Sequence, residues 1–253
     1  IDGKDTRLGK AVINLVKFRN EANAHYPMPE IAARMGLGDL ALQYLINGIN
    51  IHQMYPQGLM HNVTGYPDNI YDLKSIHDLL NHTYTIRSHD FFQCGMEPIS
   101  NYGTTINEMM LQSNEGKIRV FPAIPSAWDT TRIAFTLLAR GAFIVSSERD
   151  EHAQITQIGI KSLKGNRCRI QNPWNDSKDV VVRQANNGKN IKFKIESGNV
   201  ISFITQLDTE YIINVNNRVA HNQTTYSGTP NNNVKHFRNR ILGKLSGWND
   251  SGK

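Results

Sequence analysis

The first half of the chain places its apolar residues at helical spacing. One stripe consists of Leu8, Ala11, Val12, Leu15 and Val16, which recur at intervals of three and four residues. Two further stripes with this spacing are Leu40, Tyr44, Leu45 and Ile49, and Ile70, Leu73, Ile76 and Leu80. Helices of about three turns joined by loops are typical of stacked helical hairpins.

Residues that favour helix ends flank these stripes. Pro29 stands where a helix can begin and Gly36 where that helix can stop. Asp39 is placed to cap the helix that follows. The pattern therefore predicts a short helix near residues 29–35 and a longer one after Asp39.

Two long segments, residues 51–68 and 82–103, lack the helical pattern but are rich in aromatic and apolar residues. Loops of this length in compact domains tend to be functional, so we expect packed loops at one end of a helical array. Thr105 and Glu108 form a capping box that predicts the start of the next helix, and Gly116 predicts its end.

After residue 117 the apolar period changes to two, which predicts β-strands separated by Gly- and Asn-containing turns. The predicted strands are Ile118–Phe121, Ile133–Ala139, Ala142–Ser147, Ile155–Ser162, Arg167–Asn172, Val180–Arg183, Ile191–Ile195, Val200–Phe203 and Tyr211–Val215. Strands every 8–12 residues, roughly, indicate an antiparallel β-sandwich.

The order of elements predicts an α+β chain with two domains. We expect helices over residues 1–127, an antiparallel β-sandwich over residues 128–215 and a polar tail over residues 216–253. The few helices expose more apolar stripe than they can bury among themselves. We therefore expect them to pack against upstream polypeptide that is not part of this sequence.

Composition narrows the function classes. The chain has 253 residues, 39% of them apolar and 20% charged, which suits a packed core and not disorder. The net charge of +6 is spread along the chain in short runs, so nucleic-acid binding is not favoured. No apolar run is long enough to span a membrane. Cys94 and Cys168 make no disulfide framework and are predicted to be free thiols.

The histidines of the first half do not predict a metal site. Their number invites a zinc interpretation, but the His52/His61 and His82/His89 spacings fit no common ligand pattern. The sequence also lacks a Walker A motif, a dinucleotide-binding fingerprint and a G-x-S-x-G nucleophile elbow. We therefore expect neither metal nor cofactor.

The run Glu108-Met-Met-Leu-Gln-Ser-Asn-Glu-Gly-Lys-Ile-Arg-Val-Phe-Pro-Ala-Ile-Pro125, followed by Trp128, resembles glycoside hydrolase family 95. The segments Leu138–Val145 and Ile160–Ser162 resemble the family's β domain. The likeness extends over about residues 20–172 and is strongest over residues 101–145. The family contains α-L-fucosidases and α-L-galactosidases.

The resemblance implies a fold and a place in it. The family has an N-terminal β-sandwich, an (α/α)6 barrel and a C-terminal β domain. The chain would hold the last helices of that barrel and the C-terminal domain. The resemblance also implies a carbohydrate substrate and a secreted or periplasmic location.

The resemblance implies catalysis by two carboxyl groups, as in most glycoside hydrolases. A family Asp with a role in base catalysis begins an Asp-Gly-Asn-Phe-Gly run. The matching run here is Ile99-Ser100-Asn101-Tyr102-Gly103, so isoleucine replaces the carboxylate. Glu97, two residues earlier among apolar neighbours, is the local candidate to replace it, and the alternative is a structural bond to loop backbone. Asp90 is a second candidate.

Sugar binding needs stacking faces and polar groups, which the long loops and the Asn-Tyr pair can supply. The candidate substrate-binding residues are Asn101, Tyr102, His61, Asn62 and Tyr66, with Tyr55 as a further loop aromatic. For each of them the alternative is simple loop packing, or a turn or cap role for Asn101. The family's general acid belongs to an earlier barrel helix and is expected outside this chain. Glu21 is a weaker carboxylate candidate at the barrel mouth.

Two functions remain open on these residues. The first is a glycoside hydrolase portion that acts by inversion, with the fragment inactive alone. The second is a carbohydrate-binding or structural remnant in which Ile99 marks lost catalysis.

Overall fold

A computed structural model describes residues 5–19, 27–52, 60–61, 94–174, 179–215, 235–237 and 240–242. The chain divides into two compact units. The helical unit comprises Ile1–Ala32, Leu40–Thr105 and Tyr226–Lys253, and the sheet unit comprises Ala33–Asp39 and Ile106–Thr225. The predicted helix at residues 70–80 lies outside the described residues.

Four α-helices are described in the first half of the chain: α1 (Arg7–Arg19), α2 (Met28–Arg34), α3 (Gly38–His52) and α4 (Met96–Met110). Two short strands, β1 (Met60–His61) and β2 (Cys94–Gly95), pair antiparallel before α4. The predicted helices at residues 8–16, 29–35 and after residue 39 are thereby confirmed.

Helix α1 forms as predicted, but only part of its apolar stripe is buried. Val16 is 2% exposed, and its carbonyl accepts a short hydrogen bond from the Tyr44 hydroxyl of α3. Leu8 and Leu15 remain 75% and 56% exposed. The sequence therefore predicted the helix correctly, whereas its packed face is narrower than the stripe.

The predicted cap of α3 is wrong. The helix begins at Gly38, so Asp39 lies inside its first turn. The carboxylate oxygen Oδ1 of Asp39 accepts hydrogen bonds from the backbone N–H (2.7 Å) and the hydroxyl (2.8 Å) of Ser126. Asp39 therefore ties residues 33–39 to a distant part of the sheet unit. Among the described residues, its carboxylate accepts from Ser126 and not from the first N–H groups of α3, as a cap would.

The predicted capping box at Thr105 and Glu108 is also wrong. Both residues lie inside α4, which begins nine residues earlier at Met96 and ends at Met110, not Gly116. The Thr105 hydroxyl donates to the Asn101 carbonyl at 2.6 Å, one turn back, which is how threonine satisfies itself inside a helix. The segment 96–103, predicted as a loop, is therefore helical.

The nine predicted strands of the sheet unit occur in the predicted order, and the short strand β3 (Leu111–Gln112) was not predicted. The nine are β4 (Arg119–Val120), β5 (Ile133–Ala139), β6 (Phe143–Arg149), β7 (Ile155–Ser162), β8 (Arg167–Gln171), β9 (Val180–Gln184), β10 (Lys194–Glu196), β11 (Val200–Ile204) and β12 (Thr209–Val215). The bounds of β5 and β7 are those predicted, and β10 is shorter and later than the predicted strand at residues 191–195.

Two antiparallel sheets supply the core of the sheet unit. The order is β5-β6-β7-β12-β9 in the five-stranded sheet and β10-β11-β8 in the three-stranded sheet. Side chains of both sheets, including Ile158 of β7, Ile213 of β12 and Ile170 of β8, belong to one buried hydrophobic cluster. Cys168 is a buried free thiol in this cluster, as predicted, and burial raises its pKa to about 12.

The tail contains one described hairpin. Strands β13 (Lys235–Phe237) and β14 (Arg240–Leu242) pair antiparallel, with Lys235 opposite Leu242. The segment predicted as a polar tail therefore contains paired strands.

Candidate functional site

The sequence-predicted site falls at the beginning of α4. Glu97 is the second residue of the helix and Pro98 the third. An acidic residue and a proline both suit a first helical turn, because the exposed N–H groups favour negative charge and proline needs no donor there. Ile99 also lies in this turn, so the position of the family's Asp is helical here.

Positions 97 and 101 lie one turn apart on the same side of α4. Farther along this side, Asn101, Thr104 and Glu108 are half-buried. Gly103 and Ile106, on the other side of the helix, are exposed to solvent. Positions 97 and 101 therefore share a helix side on which Asn101, Thr104 and Glu108 are half-buried.

Strand pairing brings a second predicted segment to the start of α4. The backbone of His61 pairs with Cys94, and Met60 pairs with Gly95. Paired residues in antiparallel strands have Cα atoms about 4.5–5.5 Å apart. His61 is therefore held three residues before Glu97 in the register of the hairpin, although 36 residues separate them in sequence.

Tyr102 carries a buried hydroxyl with no hydrogen-bond partner among the described residues. Its side chain is 8% exposed. Burial raises the pKa of Tyr102 well above its usual range, so the phenol keeps its proton. Leaving such a group unpaired costs about 1–3 kcal/mol. The Tyr102 hydroxyl is therefore an unused hydrogen-bond donor. Tyr102 was predicted as a loop residue and is instead on the buried side of a helix.

The remaining predicted site residues are Asn62, Tyr66, Tyr55, Asp90 and Glu21, and all lie outside the described residues. Of the predicted site, the described part of the chain therefore brings together His61, Glu97, Asn101 and Tyr102 at the backbone level.

Residues of the 108–125 motif make hydrogen bonds to residues 33 and 34. The buried amide of Gln112 donates from Nε2 to the carbonyls of Ala33 (2.9 Å) and Glu108 (3.0 Å). The Glu108 carboxylate accepts from Arg34 at 3.0 Å. The motif therefore clamps residues 33–39 onto the end of α4. Sequence reasoning missed Gln112, for which the signal was a polar residue directly after the apolar run Met109–Leu111.

The same clamp includes a close approach of backbone to backbone. A Cβ atom at Gly38 would lie 2.5 Å from the Ala123 carbonyl oxygen and 2.7 Å from the carbonyl carbon of Ile124. Only glycine fits at this distance. The Pro-Ala-Ile-Pro segment of the motif is thus a seat for the start of α3.

Neither a metal cluster nor a membrane span is found in the described part of the chain. No three His, Cys, Asp or Glu residues of those described lie close enough to hold a metal ion. None of the described helices has the length and apolar character needed to cross a bilayer.

Residues 112–213 match the family model described as "Glycoside hydrolase family 95, C-terminal domain". The match begins at Gln112 and ends in β12, so it includes both large sheets. A C-terminal portion like that of this family therefore occupies these residues, as the resemblance predicted. Among curated proteins, none matches the chain.

Solved structures with some likeness include two glycoside hydrolases. The catalytic domain of GH30 xylanase C from Talaromyces cellulolyticus is 7% identical, with 42% of this chain and 27% of that chain covered and a TM-score of 0.26. A GH127 beta-L-arabinofuranosidase from Geobacillus stearothermophilus T6 is 12% identical, with 75% and 30% covered and a TM-score of 0.29. The chain thus spans about a third or less of the length of these proteins.

Proposed function

We propose, from the family 95 C-terminal domain match over residues 112–213, that the chain is the C-terminal portion of a glycoside hydrolase. The enzyme would hydrolyse O-glycosidic bonds of oligo- or polysaccharides. The family match is the observation that carries this proposal. A secreted or periplasmic location belongs to the proposal through the family resemblance.

The architecture we propose has three parts. Residues 1–127 are the last helices of an (α/α)6 barrel, residues 128–215 form an antiparallel β-sandwich, and residues 216–253 are a tail. The shared hydrophobic cluster of the two sheets supports the sandwich. The exposed Leu8 and Leu15 of α1 support a barrel whose other helices lie upstream, because exposed leucines at helical spacing suit a further helix partner.

The site we propose lies around the start of α4. Glu97 is the base and replaces the Asp that Ile99 displaces. The proposed sugar-binding residues are Asn101, Tyr102, His61, Asn62 and Tyr66. Two observations support the grouping: positions 97 and 101 share a side of α4, and the β1–β2 pairing holds His61 near the helix start.

The proposed mechanism is inversion. A general acid from the upstream helices protonates the leaving oxygen, and Glu97 removes a proton from the attacking water. Inverting enzymes hold these carboxyl groups roughly 6.5–9.5 Å apart to admit that water. Because the acid is supplied from outside these residues, we expect the 253-residue chain alone to have no glycosidase activity.

One observation favours a second function. Ile99 sits inside the first turn of α4, where no proton acceptor stands at the family's Asp position. If Glu97 does not take over, the protein would bind carbohydrate, or serve as scaffold, without turnover.

The test is Glu97→Gln in the complete protein, with oligosaccharides that carry terminal α-L-fucose or L-galactose as substrates. We expect kcat to fall by about 10²–10⁴-fold, the scale of general acid–base catalysis, while KM changes little. Glu151→Gln, at an exposed turn of the sheet unit, is the control and should leave kcat unchanged.

Binding is tested separately on the same helix. Asn101→Ala should raise KM, whereas Asn107→Ala, at an exposed position of α4, should not. Unchanged kcat in the Glu97 variant would reject the catalytic role of Glu97. Sugar binding without turnover in the unaltered protein would establish the second function.

A further inference from the structure

A positively charged pocket lies on the sheet unit. Its volume is about 340 Å³, within the range typical of small-molecule sites. Four basic residues, Lys117, Arg140, Arg167 and Arg169, line it, and none of the lining residues is acidic. Such a concentration of like charge is costly unless an anion or solvent compensates it.

Arg169 is held rigidly at one wall of this pocket. Its Nε donates to the Glu196 carboxylate at 2.8 Å, and its Nη1 donates to the Gly116 carbonyl at 2.9 Å. No described residue accepts a hydrogen bond from Nη2 of Arg169. A hydrogen bond with Ser202 and the contact with Arg169 lower the pKa of Glu196, so this carboxylate stays ionised and keeps the guanidinium in place.

Two further arginines at the pocket, Arg140 and Arg167, carry positive charges that no described carboxylate neutralises. Arg167 lies two residues before Arg169 on the outward side of β8, and its Nη1 is 3.4 Å from the Ser202 hydroxyl. Arg140 is exposed in the turn between β5 and β6. Neither has a carboxylate partner among the described residues. Planar guanidinium groups bind carboxylate and sulfate oxygens in pairs, which lysine cannot do.

The floor of the pocket is apolar and backbone-lined. It includes the buried Phe143 ring and the backbone of Gly141, which has φ +89°. A Cβ atom at Gly141 would lie 2.9 Å from Cε2 of Phe143. Glycine therefore keeps this floor open beside the charged rim. An apolar floor with a cationic rim suits a sugar ring that carries an anionic group.

We propose that this pocket binds an acidic sugar unit, through its carboxylate or sulfate group, on Arg140, Arg167 and Arg169. The sugar part of this proposal rests on the proposed function, whereas the anionic part rests on the pocket alone. The site makes the sheet unit a binding module for acidic glycan.

The test uses the 253-residue chain and two matched pairs of probes. Polygalacturonate is compared with its methyl ester, and dextran sulfate with dextran, by isothermal titration calorimetry. We expect only the acidic member of a pair to bind, and the pair that responds identifies the anion as carboxylate or sulfate. Binding should weaken as the salt concentration rises, because exposed charges are screened.

The decisive variant is Arg140→Gln with Arg167→Gln. It should weaken acidic-probe binding by about 10-fold or more, since charge-assisted bonds are lost. The control, Lys189→Gln with Lys192→Gln, removes the same charge from exposed positions away from the pocket and should change affinity by about 2-fold or less. Circular dichroism should show both variants folded, because Arg140 and Arg167 are exposed.

Equal weakening in both double variants would show general charge attraction and overturn the pocket proposal. Binding of neutral and acidic probes alike would overturn it too. Acidic-probe binding at the pocket with no hydrolysis by the complete protein would reject the glycosidase proposal and leave the pocket standing. Hydrolysis with no acidic-probe binding would do the reverse.

Discussion

The two units of the chain satisfy their apolar residues differently. In the sheet unit, a continuous cluster drawn from both sheets is buried, with Ile158, Ile170 and Ile213 fully enclosed. In the helical unit, α1 buries Val16 but leaves Leu8 and Leu15 in solvent. The strand pattern therefore specifies a core completed by residues of this chain, whereas the helical stripe is wider than the face that the described residues cover.

The largest expected effect tests that contrast directly. Ile158→Ala removes a fully buried side chain from the sheet core and should lower the free energy of unfolding by about 2–5 kcal/mol. Leu15→Ala in α1 should change it by about 0.5 kcal/mol or less. Urea unfolding followed by far-UV circular dichroism measures both, because this signal reports helices and strands alike. Equal losses in the two variants would contradict this difference between the two units.

A smaller effect is expected where two backbones meet. Gly38→Ala places a Cβ against the carbonyls of Ala123 and Ile124, neither of which can move like a side-chain end. We expect a loss of about 1–3 kcal/mol from this overpacking. Gly103→Ala, in α4 with no atom within 4 Å of its Cβ, should instead stabilise by roughly 0.5–1 kcal/mol. The melting temperatures of the two variants should shift in opposite directions. A shift in the same direction would refute the close backbone approach at Gly38.

The smallest effect concerns the charge that ties residues 33–39 to the sheet unit. The Ser126 side chain and then its backbone N–H lower the pKa of Asp39 below its ordinary 3.8. The folded form therefore gains stability from ionised Asp39 above about pH 3.8, and this gain is lost as the pH falls through the lowered pKa. Because Asp39 is exposed, we expect only about 0.5 kcal/mol.

Asp39→Asn should therefore reduce stability at pH 7 and match the unaltered protein at pH 2 in urea unfolding. Asp5→Asn, also exposed but without this tie, is the control and should have no effect at pH 7. A pH-independent effect of Asp39→Asn would mean that the carboxylate charge does not contribute.

The sequence predicted the strands better than the start of α4, and the reason is physical. In β6, Phe143, Val145 and Ser147 are buried and alternate with half-buried residues, so the local pattern and the buried face agree. At residues 96–103 the Asn-Tyr-Gly run favours a turn. The spacing of Tyr102, Thr105 and Met109, all buried, overrides that local preference and extends the helix.

The site was predictable only where neighbours in sequence are neighbours in space. The grouping of Glu97 with Asn101 follows from one turn of helix, although the sequence pattern assigned a loop there. The pairing of His61 with Cys94 and the bond from Gln112 to Ala33, 79 residues away, depend on tertiary contacts. No local pattern specifies such partners, so a single sequence does not predict them.

The backbone of Ile118, within the 108–125 motif, has a consequence for solubility. Ile118 donates its N–H to the Arg169 carbonyl and accepts from the N–H of Gln171, both at 2.8 Å, so it forms a parallel bridge to β8. An uncovered outer strand is a template on which foreign chains can add and aggregate. By filling these bonds from within, the polypeptide blocks strand addition along the middle of β8.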